Sequence, residues 1–495
     1  MTELESHIKN VDRKKVINAV KLQLPIEVTS YTLSRNMEAY FRAVEDEFLE
    51  VCHQEHLKEY LNFCLGELLT NSKKANTKRV YFKEKGLDIN NPDDYAKGME
   101  TFKEDTFTNI DHYLELQKKE GLYVKLSLQL KGDKIYIEIK NNSILTSFEA
   151  DRISHKLAIA QKYDDMDEVV ANVIDQSEGA GLGIIIIILM LQKVGLSKEN
   201  FKIFATDKET ITQIIMPCDK KIFAGVEIIS YEFVNLQTKI PVLQNNFEQV
   251  NKLVTSSSID RKELTTCIRN DVTLTLLLLK YALEKNPNCF SIPSAINLLS
   301  DDELRFVFSD SNPTCDFIFP RAELENLWSH SKRTAFFAYN LYKNDKDIST
   351  ASNEDEEYFY TAGLLNDFGK ILLETASQEQ KQYIEELSSH YEDISDKILD
   401  VFRLGNASSY LSLIYMRKFG FSETLANRLS SWNTIKKVEE SSKDVVDILY
   451  LSELMGYYED GTADFYQIDK NLLSKFDITD ENQFKSAIQR LKDAM

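Results

Sequence analysis

The sequence predicts an α+β half, with a mixed sheet carrying helices on one face, followed by an all-α half. Two pairs of alternating apolar and polar runs within residues 1–217 read as β-hairpins set between helical segments. From about residue 239 the pattern is helical throughout. The chain has 495 residues, is 43% hydrophobic and holds only 8 Pro and 16 Gly, so it exceeds the length that buries one core and carries no low-complexity tract.

A short helical lead-in reaches Glu67-Leu-Leu-Thr-Asn71-Ser-Lys-Lys74. Glu67 and Asn71 stand at i and i+4 and Lys74 three further, so all three project from one stripe of a helix. That stripe offers an oxygen ligand for a hard cation, a positive charge for phosphates and a carboxylate to orient or deprotonate an attacking group, the parts a Mg-nucleotide site requires. A solvated polar face beside a buried one is the ordinary meaning of a lone E-x-x-x-N.

The runs from Tyr123 to Lys140, joined by a Lys-Gly-Asp turn, read as a β-hairpin that closes on Asn141-Asn142-Ser143-Ile144-Leu145. Further on stands Glu178-Gly179-Ala180-Gly181-Leu182-Gly183. Its alternate glycines leave backbone N–H groups free to approach phosphate oxygens, and the apolar run Ile184 to Leu191 starts a helix whose N-terminus favours an anion. Alone, such a loop is equally a flexible turn before a core helix. Phe201–Ala205 and Thr210–Met216 read as the second strand pair.

The order helix, hairpin, lid, glycine turn, helix, hairpin over residues 30–217 resembles the GHKL ATPase domain of histidine kinases, anti-sigma-factor serine kinases, gyrase, Hsp90 and MutL. The resemblance implies a Bergerat-type sandwich over residues 1–217 that binds ATP with Mg. It assigns Glu67 as the catalytic acid, Asn71 as the Mg ligand, Lys74 as the phosphate-side cation and residues 146–177 as the mobile ATP lid. Gly179, Gly181, Leu182 and Gly183 fall in the second glycine box. The family's D-x-G-x-G, whose Asp accepts a hydrogen bond from the adenine amino group, is replaced by Asn141 to Leu145. Asn141 keeps an acceptor without its charge, and Ser143 and Leu145 put side chains where glycines let the backbone approach the base. Some peptide-sensing histidine kinases resemble this Asn-containing form. Only some 66 residues precede Glu67, with His7, His53 and His56, too few for a kinase's usual phosphoacceptor hairpin. The layout is more similar to an anti-sigma-factor kinase acting on a partner in trans.

Residues 218–238 form a bridge in which Val226 to Val234 alternates as a strand. The second half, residues 239–495, begins Lys239-Ile-Pro241-Val-Leu243 and carries Ile268–Lys280, Ser291–Leu299, Trp328-Ser-His330 and Ala362-Gly363-Leu-Leu-Asn366-Asp367-Phe-Gly369-Lys370. These segments resemble an HDOD domain, a helical signalling relative of the HD phosphohydrolases. A metal-dependent HD enzyme needs a His, a His-Asp pair and a further Asp to converge on its ion. Here His330 and Asp367 occupy two of those places, Asn366 replaces the paired His, and Glu453 is the nearest candidate for the last. Beyond residue 217 only His330 and His390 remain, so a histidine-rich binuclear centre is excluded by counting. No stoichiometric metal is expected there, and binding is expected in place of hydrolysis.

A net charge of -20 argues against broad contact with nucleic acid, and basic spots such as Lys73, Lys74, Lys78 and Arg79 suit a nucleotide better. The longest apolar run is far too short to span a bilayer, and the six cysteines form no C-x-x-C, so a reducing cytoplasm and no membrane partner are expected. The chain thus reads as a cytoplasmic signalling protein whose ATP-binding domain is coupled to a degenerate HDOD domain that binds regulatory protein partners. The alternatives are an active protein kinase acting in trans, an HD-type phosphohydrolase and a nucleotide-independent scaffold. GHKL proteins commonly pair, which adds a homodimer to the expected partners, with Trp432 or the C-terminal helices as its interface.

Overall fold

The computed structural model of the chain describes residues 11–160, 183–218, 220–319, 321–344, 354–391, 393–430 and 443–493. It divides into two compact units, Met1–Cys218 and Asp219–Met495.

The first unit runs α1 (Arg13–Lys21), β1 (Ile26–Ser30), α2 (Arg35–Val51), α3 (Lys58–Lys85), α4 (Pro92–Thr108), α5 (Ile110–Lys119), β2 (Val124–Lys131), β3 (Lys134–Asn141), α6 (Ser147–Ala160), α7 (Gly183–Lys193), β4 (Phe201–Ala205) and β5 (Thr210–Pro217). The strands form one sheet in the order β1-β2-β3-β5-β4, and every neighbouring pair is antiparallel. The expected mixed sheet is therefore corrected to a wholly antiparallel one. The cause is visible in the strands. Leu126, Leu128 and Leu130 pair with Ile139, Ile137 and Ile135 on a buried face, while Lys125 and Lys140 occupy the other and reach Glu27 and Glu138 at 3.2 and 2.8 Å. A sheet with one wet face is the antiparallel arrangement, since parallel sheets are covered on both sides. Each aliphatic side chain so buried contributes roughly 1.5–3 kcal/mol.

The β2–β3 turn is Gly132-Asp133, and Gly132 takes φ 60° at the first loop position, as a two-residue turn of that hand requires. Helix α3 buries Leu61, Leu65, Leu68, Ser72, Asn76 and Val80, a stripe with helical spacing, and ends at Gly86 in the left-handed conformation. Helix α7 packs against both α3 and α6. Helices α4 and α5 have no counterpart among the expected elements. Their apolar face is thin, with Gly98, Phe102 and Thr106 between charged residues, and it meets Tyr81 and Phe82 of α3 in a small separate core.

The second unit begins with α8 (Lys220–Leu236), β6 (Ile240–Leu243), α9 (Gln244–Val254), α10 (Arg261–Arg269), α11 (Val272–Lys285), α12 (Ile292–Leu298), α13 (Asp301–Val307) and β7 (Cys315–Ile318). It continues with α14 (Ala322–Asn344), α15 (Glu356–Leu365), α16 (Phe368–Thr375), α17 (Gln378–Ser389), α18 (Ser395–Arg403), α19 (Ser408–Lys418), α20 (Glu423–Ser430), α21 (Lys443–Glu459), α22 (Lys470–Lys475) and α23 (Glu481–Asp493). Two expectations are corrected here. Residues 218–238 are no linker with a strand: Ile222, Val226, Ile229, Phe233 and Val234 are buried with helical spacing, and α8 packs on α17, α18 and α19. The half is also not purely helical, because the continuously buried Ile240-Pro-Val-Leu243 forms a parallel pair with β7. Helix α14 packs against α15 and α21. The approach of α15 is close because a Cβ on Gly363 would stand 2.8 Å from the Ala335 Cα.

Candidate functional sites

In the first unit, α3, α4, β3, α6, α7, β4 and β5 enclose a cavity of about 230 Å³. Asn71 and Lys74, two of the three residues of the expected helical stripe, reach it from α3, together with Lys78 and Arg79. Arg152 and Lys156 reach it from α6, Met99 from α4, Asn141 from the end of β3, and Thr210 and Thr212 from β5. Among the described residues, five cations therefore face a single carboxylate, Glu149, in a chain of net charge -20.

Glu149 neutralises only part of that charge. It pairs with Arg79 at 2.5 Å and Lys78 at 3.1 Å, and although burial raises its pKa, the Arg79 hydrogen bond and both cations hold it down at about 2. Lys74, Arg152 and Lys156 have no carboxylate in ion-pair range among the described residues. The Lys74 pKa is lowered by desolvation and by repulsion from Lys78 and Arg152, and that of Lys156 by desolvation, Arg152 and Lys74. Positive charges held together against mutual repulsion can attract an anion.

Helix α6 is fixed over this cavity by aromatic contacts. Tyr95 of α4 stacks on Phe82 at 5.8 Å and on Phe148 of α6 at 5.6 Å, and its hydroxyl accepts from Arg152 at 3.4 Å. At the other end, Asn141 Nδ2 donates to Asn76 Oδ1 at 3.3 Å. Glu67 does not line the cavity. A Cβ on Gly183, the first residue of α7, would stand 2.5 Å from Glu67 Oε2 and 3.9 Å from Asn71 Nδ2, so the glycine lets α7 start directly against the α3 pair. Gly179, Gly181, Leu182 and residues 161–177 of the expected lid lie outside the described residues. Lys73 turns away to Glu38 at 3.4 Å. Arg152 and Lys156 carried a signal that sequence reading missed, an i,i+4 basic pair in the lid segment.

In the second unit, His330 of α14, Asn366 and Asp367 at the α15–α16 junction, and Glu453 of α21 are brought together and buried. One donor atom each from His330, Asp367 and Glu453 lies within 4.8 Å of the others. A Cβ on Gly456 would meet the His330 ring at 2.9 Å, so this glycine admits the imidazole beside α21. His330 Nε2 is 3.4 Å from Asp367 Oδ2, and its Nδ1 is 3.3 Å from Asp460, which accepts from Arg333 at 2.7 Å.

The centre of this cluster belongs to Lys370. Its ammonium lies 2.6 Å from Asp367 and 3.3 Å from Glu453 and contacts the Tyr457 hydroxyl, which donates to Glu453 at 2.7 Å. Asn366 donates to the other Glu453 oxygen at 2.8 Å. Burial raises the Asp367 pKa, but Lys370 and His330 outweigh it and the net shift is downward. Glu453 goes up, through burial and the neighbouring Asp367. The arrangement is a charged Asp367–Lys370 pair beside a Glu453 carboxyl that favours its neutral form. Lys370, Tyr457 and Asp460 were not foreseen as parts of this cluster.

The HDOD domain model matches residues 240–427, from the first residue of β6 into α20. An uncharacterized protein of Treponema pallidum (strain Nichols) is 30% identical over 488 residues, 98% of this chain and 94% of that protein. The crystal structure of a fragment of the MmoQ response regulator from Methylococcus capsulatus str. Bath is similar at 17% identity, over 49% of this chain and 93% of that one, with a TM-score of 0.37. An HDOD domain protein of unknown function from Geobacter sulfurreducens is 13% identical over 54% of this chain and 99% of its own, with a TM-score of 0.25.

Proposed function

This chain, an HDOD-domain protein, belongs to one family with the uncharacterized Treponema pallidum protein, and we propose that it is a regulatory protein whose first unit binds Mg-ATP and whose HDOD unit binds partner proteins. The observation that carries the first part is the cavity in which Lys74, Arg152 and Lys156 have no carboxylate in ion-pair range among the described residues. In this reading the phosphates lie among those cations, Asn71 supplies an oxygen to the Mg, and the base lies toward Asn141. Bound nucleotide would favour the conformation in which α6 covers the cavity and so alter the surface offered to a partner.

The HDOD unit is read as a binding unit because Lys370 already sets a positive charge between the two carboxylates, and Asn366 stands where an HD enzyme needs imidazole. A divalent ion would have to displace that ammonium, so the donor set does not fit a hydrolytic metal centre.

Calorimetric titration of the full chain with Mg-ATP tests the proposal. Binding that Asn71→Ala weakens at least about tenfold and Glu67→Ala preserves is the expected result. No heat at millimolar nucleotide would leave the scaffold reading in front. The kinase reading is checked separately: phosphate transfer to a partner that Glu67→Gln abolishes would establish it, and the packing of Glu67 against Gly183 instead of in the cavity wall supports binding alone.

A further inference from the structure

Helix α14 carries Glu325, Trp328 and Lys332 at the i, i+3 and i+7 positions of one stripe. That stripe borders an open cavity of about 320 Å³ in the second unit, closed on its other sides by Asn246 at the start of α9 and Asn270 at the end of α10. Trp328 is 5% exposed, and its Nε1 has no acceptor among the described residues, although a buried indole N–H ordinarily finds one. The Asp271 carboxylate can only accept, so Asn246 donates one N–H to it, at 2.6 Å, and keeps its oxygen and its second N–H. Asn270 donates to the Thr266 carbonyl at 2.8 Å and is left in the same state. Each carboxamide thus offers one donor beside one acceptor, the complement of a peptide group. Neither Glu325 nor Lys332 has an oppositely charged side chain in ion-pair range among the described residues, and seven residues of helix set them about 10 Å apart along its axis. The ammonium and carboxylate of a free amino acid, borne on one carbon, are too close together to serve both. In an extended chain, two residues that share a face stand about 7 Å apart, and long charged side chains cover the rest.

We propose that this cavity is where the HDOD unit docks an extended segment of a partner protein, with a basic side chain at Glu325, an acidic one at Lys332, and the peptide groups between them on Asn246, Asn270 and the Trp328 indole. The inference rests on the reading of this unit as one that binds partner proteins. It goes further by giving the place and the chemistry of the contact.

Three blocked pentapeptides test it in calorimetric titrations of the full chain at about 0.15 M salt, where distant charges are screened. Acetyl-ARAEA-amide carries both charges, and acetyl-ARARA-amide and acetyl-AEAEA-amide carry one sign each. Wild-type protein is expected to bind the mixed peptide at least about fivefold more tightly than either control. Glu325→Lys should transfer the preference to the acidic peptide and Lys332→Glu to the basic one, a reversal that a merely structural role for these side chains would not produce. The Trp328 indole N–H resonance, told apart from that of Trp432 by Trp432→Phe, should shift when the mixed peptide binds. Trp328→Phe keeps an aromatic ring without the donor and should weaken that peptide about three- to tenfold. Should that variant fail to fold, the resonance in wild-type protein carries the same point. Peptide binding whose order of preference neither charge substitution changes, with the Trp328 resonance unmoved, overturns the inference and leaves partner binding standing. No binding of these three peptides at millimolar concentration, and none of an array of mixed-sequence hexapeptides, overturns both.

Discussion

Single residues carry most of the electrostatic content of this protein, and two of them make separable predictions. Glu45 of α2 is 1% exposed with Oε2 unpartnered among the described residues, and burial together with Asp46 pushes its carboxyl from the ordinary 4.5 up to about 8. The folded state therefore keeps a proton that the unfolded chain releases. This contribution to stability is fully present below about 4.5 and is lost as pH rises through 8. Glu45→Gln should flatten that slope and stabilise the chain at pH 9 by on the order of 3 kcal/mol, read from denaturant melts across the range. An unchanged slope would mean that Glu45 titrates normally. Lys370 makes the opposite case. Removing its ammonium by Lys370→Ala leaves the buried Asp367 uncompensated and should cost about 3–5 kcal/mol in the same assay. A loss under about 1 kcal/mol, the size of a surface pair, would show that the ammonium is not seated between Asp367 and Glu453.

At the scale of elements, the contact of α7 with α3 is the most exacting. Gly183 starts α7 where any Cβ would meet the Glu67 carboxylate, so Gly183→Ala should destabilise the first unit by roughly 1–3 kcal/mol. Glu67→Ala should return most of that loss, a coupling that a double-mutant cycle measures. Additive effects would contradict the packing. The elements also show what the sequence made legible. Alternation in Tyr123–Lys140, Phe201–Ala205 and Thr210–Met216 located the strands, because a one-faced sheet writes its period into the side chains. Strand order left no such trace, since pairing depends on connections that do not alter that period. Val226–Val234 misled because a nine-residue apolar-rich run satisfies either period, and burial against three helices decided for α8.

At the scale of the whole molecule, the sequence indicated two halves, and the HDOD match over residues 240–427 supports the second directly. No helix among the described residues is long and apolar enough to cross a membrane. The cavity was half legible. Asn71 and Lys74 declare themselves by spacing and Lys78 and Arg79 by charge on the same helix, whereas Arg152, Lys156 and Met99 enter from separate elements, and only the fold brings them together. The same limit held in the second unit, where the motif named His330, Asn366, Asp367 and Glu453 but not the lysine side chain that reaches between the acids. Because the cavity is cationic, nucleotide affinity should fall with added salt, and Lys156→Ala should weaken binding by about three- to tenfold while shrinking the salt dependence. An affinity and salt dependence equal to wild type would place the phosphates elsewhere.

Hydrogen exchange of the full chain with and without Mg-ATP tests most directly whether the nucleotide occupies this cavity. Added protection confined in the first unit to peptides spanning Asn71–Arg79, Asn141–Lys156 and the start of α7 is the predicted result. Unchanged exchange in those peptides at saturating nucleotide, or protection only in segments that do not line the cavity, would contradict it.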